Sequence, residues 1–145
     1  MSAYTVFKKT ETATAVISLC GDGIIRVMLK KNSEVTAENV DENIEVYKAF
    51  SGNNTYAFLV YSENGTVVYT DEARKRAKEL EPTFQKSCMA VLVSTLGHRL
   101  IANFYLNVYR PSFPYRVFNK MNEAEAWCLE QQQPHISTKN RTLVI

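Results

Sequence analysis

The sequence predicts an α/β domain: a mixed, mostly parallel sheet that opens with an antiparallel hairpin and carries about four helices. Three observations predict it. Short runs rich in Val, Ile, Phe and Tyr take turns with segments of helical periodicity, as in a parallel sheet with crossover helices. Near the start, two β-favouring runs are separated only by Gly21-Asp22-Gly23, residues that tolerate the positive φ of a tight turn. The chain has 145 residues, 46% hydrophobic and 22% charged, which suits one domain with its own core.

The first strand is expected over Ala13–Cys20, rich in Val, Ile and Thr, and the second over Ile24–Leu29. Lys30-Lys31-Asn32 marks the solvated end of the hairpin. Thr36 takes the N-cap position of a helix, with Glu38 in its first turn. Val40, Ile44, Tyr47 and Phe50 follow at helical spacing, and Ser51–Asn54, containing Gly52, ends the helix. Tyr56–Tyr61 is a short apolar run suited to a central strand buried on both faces. Thr66–Tyr69 fits either a strand extension or an irregular loop. Thr70 or Asp71 caps the next helix, Glu72–Leu80, which Pro82 stops.

Cys88–Val93 is the cleanest buried strand of the sequence. Ser94 or Thr95 caps a helix to about Tyr109. Pro111 and Pro114 then stiffen a connector, because each proline sets its own φ and pushes its predecessor toward extended geometry. Tyr115–Phe118 forms a short strand. Asn119 or Asn122 opens the last helix, with Ala124, Trp127 and Cys128 or Leu129 facing inward. From Gln131 onward the chain is polar and is expected to fray, with Leu143-Val144-Ile145 able to dock back. The element order is ββαβαβαβα, all in one domain.

Composition narrows the function classes. A formal net charge of +2 gives no ground for a nucleic-acid partner. Cys20, Cys88 and Cys128 are far apart in sequence, odd in number and outside any Cys-x-x-Cys pair. That argues against a disulfide framework or zinc site and fits a reducing compartment. No secretory leader and no apolar stretch of ~18 residues is visible, so a cytoplasmic protein is expected. No base, nucleophile or metal cluster converges; a non-enzymatic module without a cofactor is expected.

In the second half, Ile101-Ala102-Asn103-Phe104-Tyr105-Leu106 precedes Arg110-Pro111 and Pro114. Arg116-Val117-Phe118 and then Glu123-Ala124 with Ala126-Trp127 follow. This series resembles the C-terminal signature of SpoIIAA-like, STAS-related domains, in the version common in Bacteroidetes-type bacteria. Asp22-Gly23-Ile24 and Asp71-Glu72-Ala73-Arg74 agree more loosely. The resemblance implies a SpoIIAA-like (STAS-like) fold and a role as a protein-interaction switch, in some members through a phosphorylated Ser or Thr at the start of a helix. It also implies a likeness in shape to CRAL-TRIO-type lipid-binding domains. The phosphorylated switches carry an Asp-Ser pair and then Gly after the central strand. Here the stretch reads Val60-Tyr61-Ser62-Glu63-Asn64-Gly65, without the Asp, and the segment to Asp71 is longer.

The candidate switch or anion site is therefore Thr70 with Asp71, and more weakly Ser62. At a helix start, phosphate meets unpaired N–H groups and the positive end of the dipole. Thr70 and Asp71 read more readily as an ordinary N-cap, and Ser62 as a solvent-facing strand end. The second candidate is the apolar helix: Leu96, Leu100, Phe104 and Val108 form one row, and Ile101, Tyr105, Leu106 and Tyr109 widen it. A stripe that broad needs cover on more than one face. It would meet a protein partner, a second copy in a homodimer or a small apolar ligand, or else be sealed by the chain itself. His98 with Arg99 suits an anion contact or an exposed polar turn.

Overall fold

In a computed structural model, residues 4–62, 67–93 and 111–144 are described, the side chains of 135–144 excepted. Three strands open the chain as an antiparallel meander: β1 Val6–Glu11, β2 Ala15–Cys20 and β3 Ile24–Leu29. Then come β4 Glu34–Val35, α1 Ala37–Ser51, β5 Tyr56–Ser62, β6 Val68–Tyr69 and α2 Asp71–Leu80. A 3-10 turn, Glu81–Thr83, leads into β7 Lys86–Leu92; β8 Tyr115–Phe118 and α3 Met121–Val144 follow. The main sheet runs β1-β2-β3-β5-β7-β8, and β3, β5, β7 and β8 are mutually parallel.

The expected mixed, mostly parallel architecture is what the chain adopts. β5 is its centre, with Ala57, Phe58 and Leu59 fully buried between two layers. On one face Ile17, Ile25, Val27 and Phe58 pack under Val46, Tyr47 and Phe50 of α1. On the other, Ile24, Leu59, Cys88 and Ala90 pack under Ala124 and Cys128 of α3. α1 and α2 meet through Val40, Ile44, Ala73 and Ala77.

Local chemistry explains the boundaries. Thr36 and Asn39 form a capping box at α1: the Asn39 N–H donates to Thr36 Oγ1 at 3.3 Å, and Asn39 Oδ1 accepts from the Thr36 N–H at 2.9 Å. Gly52, at φ 54°, ends that helix. Gly23 turns the hairpin at φ 83°, and Asp22 Oδ1 accepts from the Ile24 N–H at 3.3 Å.

Several expectations are corrected. The meander has an additional outer strand, β1, so the opening is three strands rather than a hairpin. Thr66–Tyr69 resolves into the two-residue strand β6, which pairs in parallel with β4. β7 starts two residues before the expected run and ends one short of it, with Ser87, Cys88 and Ala90 buried and Met89, Val91 and Leu92 partly buried. α3 begins at Met121, where the Lys120 carbonyl accepts from the Ala124 N–H, so neither Asn119 nor Asn122 is its cap.

The helix also does not fray at Gln131. Its backbone stays helical to Val144, and Gln132 is buried because both ends of its amide are bonded. Three helices lie among the described residues; the segment 95–109, expected as a fourth, lies outside them. Among the described residues no helix is long and apolar enough to cross a membrane.

Candidate functional site

The parallel strands all end on one rim, and the helices that follow them start there. In open α/β sheets this is where ligands usually bind, in the crevice beyond the strand ends. Ser62 closes β5 as an exposed residue paired in register with Leu29. Thr70 stands at the start of α2, and its own N–H donates to the Val35 carbonyl at 3.1 Å. The β4–β6 pair thus ties the approaches to α1 and α2 together. Of this pair, β6 lies in the stretch between Ser62 and Asp71.

The rim residues have local duties. Thr70 Oγ1 accepts from the Ala73 N–H at 3.0 Å, as an N-cap should. Asp71 is almost fully exposed and accepts from Arg74 at 3.0 Å. Such an exposed pair contributes at most about 1 kcal/mol. The structure therefore places Thr70 and Asp71 side by side and partners both within α2. Leu96, Leu100, Ile101, Phe104, Tyr105, Val108 and Tyr109, with His98 and Arg99, lie outside the described residues.

A second surface was not anticipated. Among the described residues the large apolar side chains that stand exposed are Tyr4, Val6, Phe7 and Val68; Phe7 is the most open at 65%. Three of these four sit in one four-residue stretch at the start of β1. The register slips between Val6 and Lys8, so Phe7 is the extra residue of a β-bulge. Its ring lies over Gly21, where a Cβ would come within 3.0 Å of it. The signal available in the sequence was the β-favouring run Tyr4-Thr5-Val6-Phe7.

Two buried polar clusters complete the inventory. Arg26, on the α3 side of β3, donates to Asp22 at 3.1 and 3.0 Å and to Glu125 of α3 at 2.8 Å. The Tyr4 ring covers its guanidinium at 3.7 Å. Burial opposes the charge, but the two carboxylates outweigh it and hold the group firmly protonated. Its role is to join the meander to α3.

At the opposite end of the sheet from the rim, Lys86 Nζ donates to the Glu81 and Phe84 carbonyls at 3.0 and 3.1 Å, between the rings of Phe84 and Phe113. Burial pulls its pKa down to about 8, against the pull of Glu81. It borders an open cleft of about 440 Å³ shared with Thr55, Gln85 and Ser112.

Cys20, Cys88 and Cys128 are free and buried. Cys128 is held far above the ordinary thiol range by its hydrogen bond with Cys88 and by burial. Burial also raises Cys20. Among the described residues no group of three His, Cys, Asp or Glu side chains is arranged to hold a metal ion.

Comparison with known proteins bears on fold and family. A crystal structure of an uncharacterised DUF3478-family protein from Shewanella loihica PV-4, described as having a SpoIIAA-like fold, superimposes with a TM-score of 0.55 at 7% identity. It covers 88% of this chain and 97% of its own. The expected SpoIIAA-like fold is thereby established. A protein of unknown function from Arthrobacter sp. FB24 is 24% identical over 82% of this chain and 95% of its own, with a TM-score of 0.28. No protein of curated function matches. The profile of a domain of unknown function, DUF7793, matches residues 17–132, from within β2 to Gln132 of α3, and leaves β1 outside. The chain belongs to the DUF7793 family, on a SpoIIAA-like fold.

Proposed function

We propose that this protein is a non-enzymatic interaction module that binds another protein through the outer strand β1. The observation that carries this reading is the concentration of Tyr4, Val6 and Phe7, all exposed, on one four-residue stretch. Single exposed apolar residues are ordinary, whereas a cluster at a sheet edge is unusual and marks an interaction site. The SpoIIAA-like fold is compatible with such a role, and the placement of β1 outside the family match suits an added recognition element. The rim at Thr70 would then serve as a place where binding is modulated.

Affinity capture with the full chain tests this, comparing wild type with the Val6→Ser, Phe7→Ser double variant. The expected result is a discrete protein retained by wild type and lost by the variant at unchanged Tm. Identical retention by both proteins would overturn the reading.

A further inference from the structure

We infer that the occupant of the β1 edge is an acidic, extended segment of a partner protein, added as a further antiparallel or parallel strand. This rests on the interaction reading above and names the chemistry of the partner. Among the described residues nothing pairs with the outer side of β1. In a ladder, alternate residues turn their N–H and C=O away from the neighbouring strand, so the regular part of β1, Lys8–Glu11, presents a short row of free donors and acceptors.

Charge selects the partner. Glu11 is neutralised by Lys30 at 2.6 Å. Lys8 and Lys9 are exposed and form no ion pair among the described residues, so against the single carboxylate of Glu11, which Lys30 holds, the strand carries two positive charges, one toward each face of the sheet. A second copy of the chain is a poor fit. Two-fold antiparallel pairing of β1 with itself about Lys8 and Lys9 brings the four lysines together around the axis, where like charges opposite one another destabilise a sheet; the register that sets Lys8 opposite Glu11 meets a carboxylate already held by Lys30. The bulge at Phe7 and the paired lysines guard the edge against indiscriminate pairing. A strand with carboxylates opposite Lys8 and Lys9 relieves the repulsion, and an apolar residue beyond them reaches Phe7 and Val6. Repulsion of wrong strands and attraction of the right one then act together.

The test uses the full chain and an acetylated octapeptide with two adjacent central glutamates flanked by valines, which presents one carboxylate to each face, followed by amide NMR and anisotropy. The expected result is shifted and exchange-protected amides at Lys8–Glu11. Affinity should fall at least about tenfold in the Lys8→Glu, Lys9→Glu variant and fall with added salt. The same peptide N-methylated at alternate residues should lose binding, because its donors are gone. Equal binding of a lysine–valine peptide, or indifference to N-methylation, would overturn the inference.

Two further arms separate the competing occupants. Sedimentation with vesicles of phosphatidylcholine and phosphatidylserine that depends on Phe7, without peptide binding, would assign the surface to a membrane and overturn the inference. A dimer abolished by Phe7→Ser would assign it to a second copy, with the same consequence. If protein capture depends on Phe7 while the peptide leaves β1 undisturbed, strand addition fails and the interaction module stands.

Discussion

The Cγ of Gln132 fills the space that a side chain on Gly23 would need: a Cβ built there stands 2.8 Å from it. The turn of the meander and the middle of α3 are thus fitted to one another. Gln132 is held in place from both ends of its amide. Oε1 accepts from Ser87 Oγ at 2.7 Å, and Nε2 donates to the Thr55 carbonyl at 2.8 Å.

Gly23→Ala should therefore cost about 1–3 kcal/mol, from the collision and from the positive φ together. Urea denaturation measures it. Gln132→Ala removes the collision along with two buried hydrogen bonds, so the double variant should lose less than the two single losses combined. Strict additivity would mean that the two residues do not share this contact.

Arg26 is 5% exposed between Asp22 and Glu125, each 14% exposed, and removing it takes a buried cation from two partly buried carboxylates. Arg26→Met should destabilise by about 3–5 kcal/mol. Adding Asp22→Asn and Glu125→Gln to that variant should recover most of the loss, since no uncompensated charge then remains. A triple variant as unstable as Arg26→Met would place the cost in packing instead.

Lys86 supplies a pH prediction. Its folded pKa of about 8 lies below the ordinary 10.5. Between these values the unfolded chain binds more protons than the folded one, so this group makes stability rise with pH over that window. Below about pH 8 the lysine is charged in both states and contributes no slope. The difference in urea midpoint between wild type and Lys86→Met should shift in favour of wild type between pH 8 and 10. A difference flat across that range would contradict the assignment.

Thr70→Ala removes the cap of α2 and should cost about 1 kcal/mol, whereas Thr70→Asp keeps an acceptor at the helix start and should stay within about 0.5 kcal/mol of wild type. Thermal denaturation reads both. If the rim modulates binding, Thr70→Asp should change affinity for the captured partner at unchanged Tm. Equal affinity would leave Thr70 as a cap alone.

The elements legible in the sequence were those whose cause is local. Thr36 and Thr70 announce helix starts because a hydroxyl three residues before a backbone N–H is a short-range device. The Gly21-Asp22-Gly23 turn and the apolar run of β5 are equally self-contained. β1 escaped notice because it is exposed on nearly every side, so Val6 and Phe7 run straight into Lys8 and Lys9 with no alternation of apolar and polar positions. β4 and β6 exist through each other, two residues apiece. Arg26 meets Glu125 across 99 positions of chain, and Gln132 is buried only because Ser87 and Thr55 await its amide. Polar composition alone reads as solvent exposure when its partners lie so far away.

The sealed thiols give the molecule an internal clock. Cys20 closes β2, while Cys88 and Cys128 face one another across the seam between β7 and α3. A small alkylating reagent can reach them only when the surrounding layers part. Mass-resolved labelling times would then distinguish lifting of the last helix from release of the meander, without any probe being introduced.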